Sequence, residues 1–410
     1  MAFTRSECPE CAGLLSVRHA APGRPGRELR DLFAARRGGR GPDASGVWRF
    51  REMVLPDAEV PPITHPEGNT PLLERDAVAR WAGIGQLFLK HEGHNPTGSF
   101  KDRGMTVGIT QARRVAARAV ACASTGNTSA SLASYAALAG IPALVLVPAG
   151  QVAAGKLAQA LAYGAKTLLV RGDFDACFAL VREAAEKLDV YLLNSVNPFR
   201  LEGQKTIVLE MLEQLDWEPP DWIALPAGNL GNTSAFGKAL SEALDAGLIS
   251  RVPRLLAVQA SGANPFARSF RGGFERRHPV RAETIATAIR IGDPASHDRA
   301  VQAIRRTDGV VTDVSDEEIL EAKAVIDAAG VGCEPASAAS VAGARKLVGQ
   351  GVVKPGDRVV AVLTGHILKD PGVLLRYHQE TVPPPPRANR PVEIEPTLSA
   401  VEDVLRRTPR

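Results

Sequence analysis

The chain has 410 residues, 45% of them hydrophobic and 23% charged, with a formal net charge of +4. This is a globular composition, long enough for two domains sharing a cleft. Its basic and acidic residues are mixed along the chain, which excludes a nucleic-acid or polyphosphate surface.

The first ten residues, MAFTRSECPE, lack the apolar stretch and cleavage site of a secretory leader. The longest apolar runs, such as IPALVLVP at 141–148, fall short of the roughly 20 residues of a membrane span. A cytoplasmic protein with no membrane or nucleic-acid partner is expected.

Residues 1–46 are rich in Arg, Gly and Pro, with AAPGRPGRELR and ARRGGRGPD, and read as an extension outside the folded core. Within it Cys8 and Cys11 have the spacing of half a zinc ribbon. No second pair follows and only His19 is near as a third ligand, so a vestigial knuckle without metal is expected. Cys122, Cys177 and Cys333 lie in apolar surroundings and read as core residues. Five scattered cysteines argue against a disulfide framework.

The stretch HEGHNPTGSFKDRGM at 91–105 has the glycine spacing of a nucleotide-binding P-loop at Gly93 and Gly98. Ser99 and Phe100 follow where Lys and Ser/Thr should stand, which removes that reading. Lys101 comes late, in the first turn of a helix expected over 99–114. A solvated surface lysine is the plain alternative. Against it, Pro96, Thr97 and Gly98 set a tight turn and Ser99 can cap the helix. A lysine held at the positive end of a helix has its charged form disfavoured, which suits it to a Schiff base.

Farther on, apolar strand candidates alternate with amphipathic helices. The strands are AVACAS, IPALVLVP, AKTLLVRG, VYLLNS, DWIALPAG, RLLAVQA and RVVAVLTG; SASLASYAALAG and DFDACFALVREAAEKLD are two of the helices. This rhythm means an α/β protein with parallel sheets. Ligands collect where such strands end and helices begin, and three glycine-containing turns sit there: ASTGNTS at 123–129, PAGNLGN at 226–232 and LTGHI at 363–367. A Schiff-base lysine usually works with pyridoxal phosphate. PAGNLGN supplies the phosphate site such a cofactor needs, through the backbone of Gly228, Asn229, Leu230, Gly231 and Asn232. VPPPPRANRP at 382–391 is a stiff linker, and LSAVEDVLRR beyond it reads as one short helix.

NPTGSFKDRGM, STGNTSAS, NSVNPFRLEGQKT, PAGNLGN, ATAIRIGDPAS, EPASAAS and LTGHILKDP occur in this order, after EGNTPLL at 67–73. Over about residues 47–375 this set resembles the threonine synthases, fold-type II pyridoxal phosphate enzymes related to the tryptophan synthase β subunit. The resemblance implies two parallel-sheet α/β domains with pyridoxal 5'-phosphate in the cleft between them. The larger would comprise 47–84 and 201–375, the smaller 85–200, with a Pro-rich tail over 376–410. It implies a homodimer as well.

Residue by residue, the resemblance implies that Lys101 is the Schiff-base lysine and proton carrier. Asn127 would bond the cofactor's phenolic oxygen, residues 228–232 its phosphate, and Thr364 its ring nitrogen. The implied substrate is O-phosphohomoserine. Its carboxylate would lie on Ser124, Thr125, Asn127 and Thr128, and its phosphate on Asn194, Ser195 and Arg200, with Lys156 as a fourth partner. Arginine suits phosphate because its planar fork binds two oxygens at once.

His91 and His94 depart from the family pattern and read as structural or surface residues. Two alternatives stay open. One is a relative that acts on another phosphorylated amino acid, such as a cysteate synthase-like enzyme or a specialised biosynthetic paralogue, because one methylene is worth only about 1–3 kcal/mol in a pocket. The other is a non-catalytic phosphate-ligand binder on the same fold, which would have no use for Lys101.

Overall fold

The computed structural model describes residues 5–56, 60–150 and 154–407, without the side chains of 154–156. Its strands are β1 (Leu72–Glu74), β2 (Gln86–His91), β3 (Ala119–Ala123), β4 (Ala143–Pro148), β5 (Lys166–Val170), β6 (Val190–Leu192), β7 (Trp222–Pro226), β8 (Arg254–Ala260), β9 (Val310–Val314) and β10 (Arg358–Leu363). They form a six-stranded sheet of order β1-β2-β10-β7-β8-β9 and a four-stranded sheet of order β5-β4-β3-β6. Every pairing is parallel except that of β1 with β2.

Strands such as AVACA and WIALP are buried at every position. Helices cover both faces of a parallel sheet, so continuous apolar runs replace alternation. All seven strand candidates form. β1, β2 and β9 complete the larger sheet, and each lacks a clean apolar run; β2 (QLFLKH) carries Lys90 and His91, and β9 (VVTDV) carries Asp313.

Register decides where the site is. Leu363 of β10 pairs with His91 of β2, and β10 runs parallel to β7. The turns that follow these three strands therefore emerge from one edge of the sheet. They are the lysine loop, LTGHI and PAGNLGN.

Three boundaries differ from expectation. β2 lies in the stretch expected for the smaller domain, but β1 and β10 flank it in the larger sheet. The main compact unit ends at Asp370, ahead of the expected 375. The third difference is the N-terminal stretch. It carries a helix, Gly26–Arg37, whose Leu29 and Phe33 are fully buried in one cluster with Trp48 and Phe50. An i, i+4 pair of apolar residues places that face in the core despite the arginines around it.

The CPEC segment folds as a tight turn, with Cys8 N donating to Gly13 O and Ala12 N to Cys8 O. His19 spends its Nε2 on Glu202 at 2.7 Å. Among the described residues no three His, Cys, Asp or Glu side chains gather into a metal site.

The described residues from 371 to 407 form a second unit, in which LSAVEDVLRR makes the expected helix Leu398–Arg407. Among the described residues no helix is long and apolar enough to cross a membrane.

Candidate active site

Lys101 opens the helix Lys101–Arg114. The turn before it is set by Gly98, whose φ of +84° lies in the left-handed region that suits glycine. Asp102 locks that turn: its carboxylate accepts from Thr97 N at 2.7 Å, Thr97 Oγ1 at 2.6 Å and Ser131 Oγ at 2.6 Å. Ser99, expected as the cap, stands 3.4 Å from Lys101 N, so Asp102 does most of the fixing. Phe100 N donates to Thr364 O and His366 N to Gly98 O, which straps the lysine loop to the LTGHI turn.

Lys101 as a whole residue is half-buried, and its ammonium stands 4.3 Å from the Phe100 ring centroid. Burial brings its pKa down to about 7, the nearby Arg200 guanidinium adds to the fall, and Glu334 opposes it. A lysine in that range loses and regains a proton near neutrality, which a proton carrier must do.

Asn127 begins the helix Asn127–Ala139, and Thr364 follows β10. The two side chains meet on one buried carboxyl. Glu334 Oε2 accepts from Asn127 Nδ2 at 2.9 Å, and Oε1 accepts from Thr364 Oγ1 at 3.0 Å. Burial raises the Glu334 pKa, against the pull of these bonds and of Lys369 and Lys101. Glu334 carries no role in the sequence reading. Its signal is its place as first residue of the block EPASAAS, just before a helix.

In the glycine turn, Leu230 takes a left-handed φ of +62°, and the Ser234 N to Leu230 O bond is among the first of the helix Gly231–Asp245. The N–H groups ahead of that bond are the orphans of a helix start, which suit an anion. A side chain at Gly228 would bring its Cβ to 3.0 Å from Ile289 Cα, so glycine lets the turn pack closely against that backbone. The Thr233 hydroxyl is buried with no partner among the described residues. This donor set fits the phosphate of pyridoxal phosphate.

Arg200 is buried, and its Nη1 donates to Leu193 O at 2.9 Å. Its Nε and Nη2 have no hydrogen-bond partner among the described residues, and burial brings its pKa down to about 10. Gly108 gives its stem room: a Cβ there would stand 3.3 Å from Arg200 Cγ. Ser195 Oγ accepts from Asn229 Nδ2, whose partner oxygen accepts from Ala295 N at 2.7 Å.

Asn194 is placed differently from the expectation of a phosphate ligand. Its amide exchanges two 3.0 Å bonds with the backbone of Ala123, directly ahead of the STGN turn. Ser124, Thr125 and Thr128 are half-buried along that turn. The side chain of Lys156 lies outside the described residues. His91, fully enclosed, bonds Gly332 O at 2.8 Å and packs against His94.

A family model described as pyridoxal-phosphate dependent enzyme matches residues 63–365. The chain is 47% identical to threonine synthase of Methanosarcina acetivorans, over 88% of this chain and 87% of that one. It is 43% identical to threonine synthase of Methanocaldococcus jannaschii, over 97% and 94%. In fold it is similar to the threonine synthase structure from Escherichia coli, with a TM-score of 0.67 at 19% identity, covering 98% of this chain and 95% of that one. The family match over residues 63–365, on a fold-type II scaffold, makes this chain a pyridoxal-phosphate-dependent enzyme. Within that class the chain belongs to the threonine synthase family.

Proposed function

We propose that this chain converts O-phospho-L-homoserine and water into L-threonine and phosphate, with Lys101 as Schiff-base lysine and proton carrier and Arg200 as the anchor of the substrate phosphate. The observation that carries the reading is the proximity of a near-neutral amine, Lys101, to a buried guanidinium, Arg200, with two nitrogens that have no partner among the described residues.

Residues 228–232 and Thr233 hold the cofactor phosphate, Asn127 its phenolic oxygen and Thr364 its ring nitrogen. When bound, the cofactor draws electrons away from the substrate's Cα and Cβ. Lys101 takes the protons from those carbons and returns one at Cγ after phosphate has left. Water then adds its oxygen at Cβ, the second proton returns to Cα, and the proton of the water goes to the released phosphate. Ser195 joins Arg200 on the leaving phosphate. The turn of Ser124, Thr125, Asn127 and Thr128 holds the α-carboxylate at a helix N-terminus, where negative charge is favoured. Asn194 acts one step back, by bracing Ala123 beneath that turn. A cytoplasmic homodimer completes the reading; sedimentation of the purified enzyme as a monomer would remove its dimeric part.

The test is a visible spectrum together with phosphate release from O-phosphohomoserine and from phosphoserine, with Lys101→Ala beside the wild type. Yellow protein that forms threonine and phosphate only from O-phosphohomoserine, with colour and turnover both lost in the variant, is expected. Turnover of phosphoserine alone would assign a different phosphorylated amino acid.

A further inference from the structure

We propose that Glu334 is a positioning residue that holds Asn127 and Thr364 in fixed relation and sets the direction of the Thr364 hydroxyl proton, so that it determines whether the cofactor's ring nitrogen meets an acceptor or a donor. The proposal rests on the placement of Asn127 and Thr364 beside the cofactor given above.

Three elements converge on this carboxyl: the start of the helix Asn127–Ala139, the residue after β10, and the N-cap of the helix Pro335–Gly349. Its own backbone is pinned, with Glu334 N donating to Gly365 O at 3.0 Å. Gly365 leaves the space it occupies, since a Cβ there would stand 2.5 Å from the carboxyl carbon. Ser337 closes the group. Its Oγ accepts from Gly365 N at 3.1 Å and lies 3.0 Å from Thr364 Oγ1.

A hydroxyl has one proton to give. While Glu334 is a carboxylate, Thr364 donates to Oε1 and takes the Ser337 proton, so it turns a lone pair toward the ring nitrogen. That arrangement suits a ring nitrogen bearing hydrogen. With a proton on Oε1, the carboxyl donates to Thr364, and Thr364 donates outward to a bare ring nitrogen. One proton is thereby exchanged between two places, and none is gained or lost from the chain of bonds. The cations facing the carboxyl are Lys101 and Lys369, the first beside Arg200 and the second beside Asp102; the buried Cys333 thiol adjoins it. Burial favours the protonated carboxyl and charged lysines oppose it, so this proton-conserving exchange responds to pH only through the charge on its neighbours, which in the loaded enzyme, where Lys101 is the Schiff base, means Lys369.

The experiment uses holoenzyme carrying cofactor labelled with nitrogen-15 in its ring, in wild type, Glu334→Gln and Thr364→Val. NMR reads the ring nitrogen across pH, and kcat, KM and Tm are measured alongside. In Glu334→Gln the amide oxygen keeps the Asn127 bond while its NH2 donates to Thr364. The ring-nitrogen signal should then sit at its unprotonated position at every pH. kcat should fall about 10- to 100-fold, the loss typical when a group orienting another is removed, with KM little changed.

A ring-nitrogen signal in folded, loaded Glu334→Gln that follows the wild type at every pH overturns the proposal. If that variant does not retain cofactor, the wild type alone decides: the ring nitrogen and the Glu334 carboxyl carbon must titrate with one midpoint, and two separate midpoints overturn it. An unchanged ring-nitrogen signal in Thr364→Val removes the site reading itself, and the proposal with it.

Discussion

Arg103 and Arg200 are both buried, and their surroundings are opposite. Arg103 donates to Glu92 at 2.7 and 2.8 Å, to Glu210 at 2.8 Å, and to Thr70 Oγ1 and Gly46 O at 3.1 Å each. Glu210 also binds Lys90 at 2.6 Å and Arg49 at 3.1 Å. Those cations hold the Glu210 carboxyl well below its usual range, and its charge with that of Glu92 pushes Arg103 up. Arg200 has one carbonyl and no carboxylate partner among the described residues, and its pKa falls. A satisfied buried charge organises the chain around it, whereas an unsatisfied one is kept for something the chain does not itself contain.

Breaking the satisfied arginine should have the largest effect. Arg103→Met leaves two buried carboxylates short of their main partner and should cost about 3–5 kcal/mol, read by urea unfolding of cofactor-free protein. Stability within 1 kcal/mol of wild type, a margin below that range, would mean the network is not holding the fold.

Arg200→Met should lower kcat/KM for O-phosphohomoserine by about 2–4 kcal/mol, or roughly 30- to 1000-fold, since it removes charge-assisted bonds to phosphate. The same substitution removes two unsatisfied donors and should stabilise the cofactor-free protein by about 1–3 kcal/mol. A variant less stable than wild type would make Arg200 an ordinary structural residue.

The smallest effect is on the neighbouring amine. Removing a like charge favours the protonated form, so the Lys101 midpoint should rise above about 7 in Arg200→Met. The pH profile of Lys101 acylation in cofactor-free protein, followed by peptide mass spectrometry, measures it. An unmoved midpoint would put the two groups out of electrostatic reach.

Much of this was legible in the sequence because local chemistry demanded it. The buried parallel strands are apolar runs, Lys101 sits behind a turn that only certain residues form, and the glycine turn opens a helix. The rest depended on contacts between distant residues. Glu334 meets Asn127 across 207 positions, and nothing in EPASAAS alone says which side chains it will hold. Asn194 has the right chemistry for a phosphate, yet the backbone of Ala123 takes both ends of its amide, and composition cannot show that competition. The polar residues of β2 hid a strand for a related reason. Lys90 is tolerated in a buried sheet because Glu210, 120 residues later, receives it.

Phe33 packs edge-on against Phe50 at 5.0 Å and lies 6.2 Å from Trp217. The recognisable catalytic region, 63–365, is therefore smaller than the unit that folds. A clone trimmed to that region would keep every residue assigned to the chemistry and lose the cover of its core. The surface laid bare around Trp217 would be oily and prone to self-association. Anyone shortening this enzyme, or grafting its site into a hybrid, should carry the arginine-rich leader along as structural cargo.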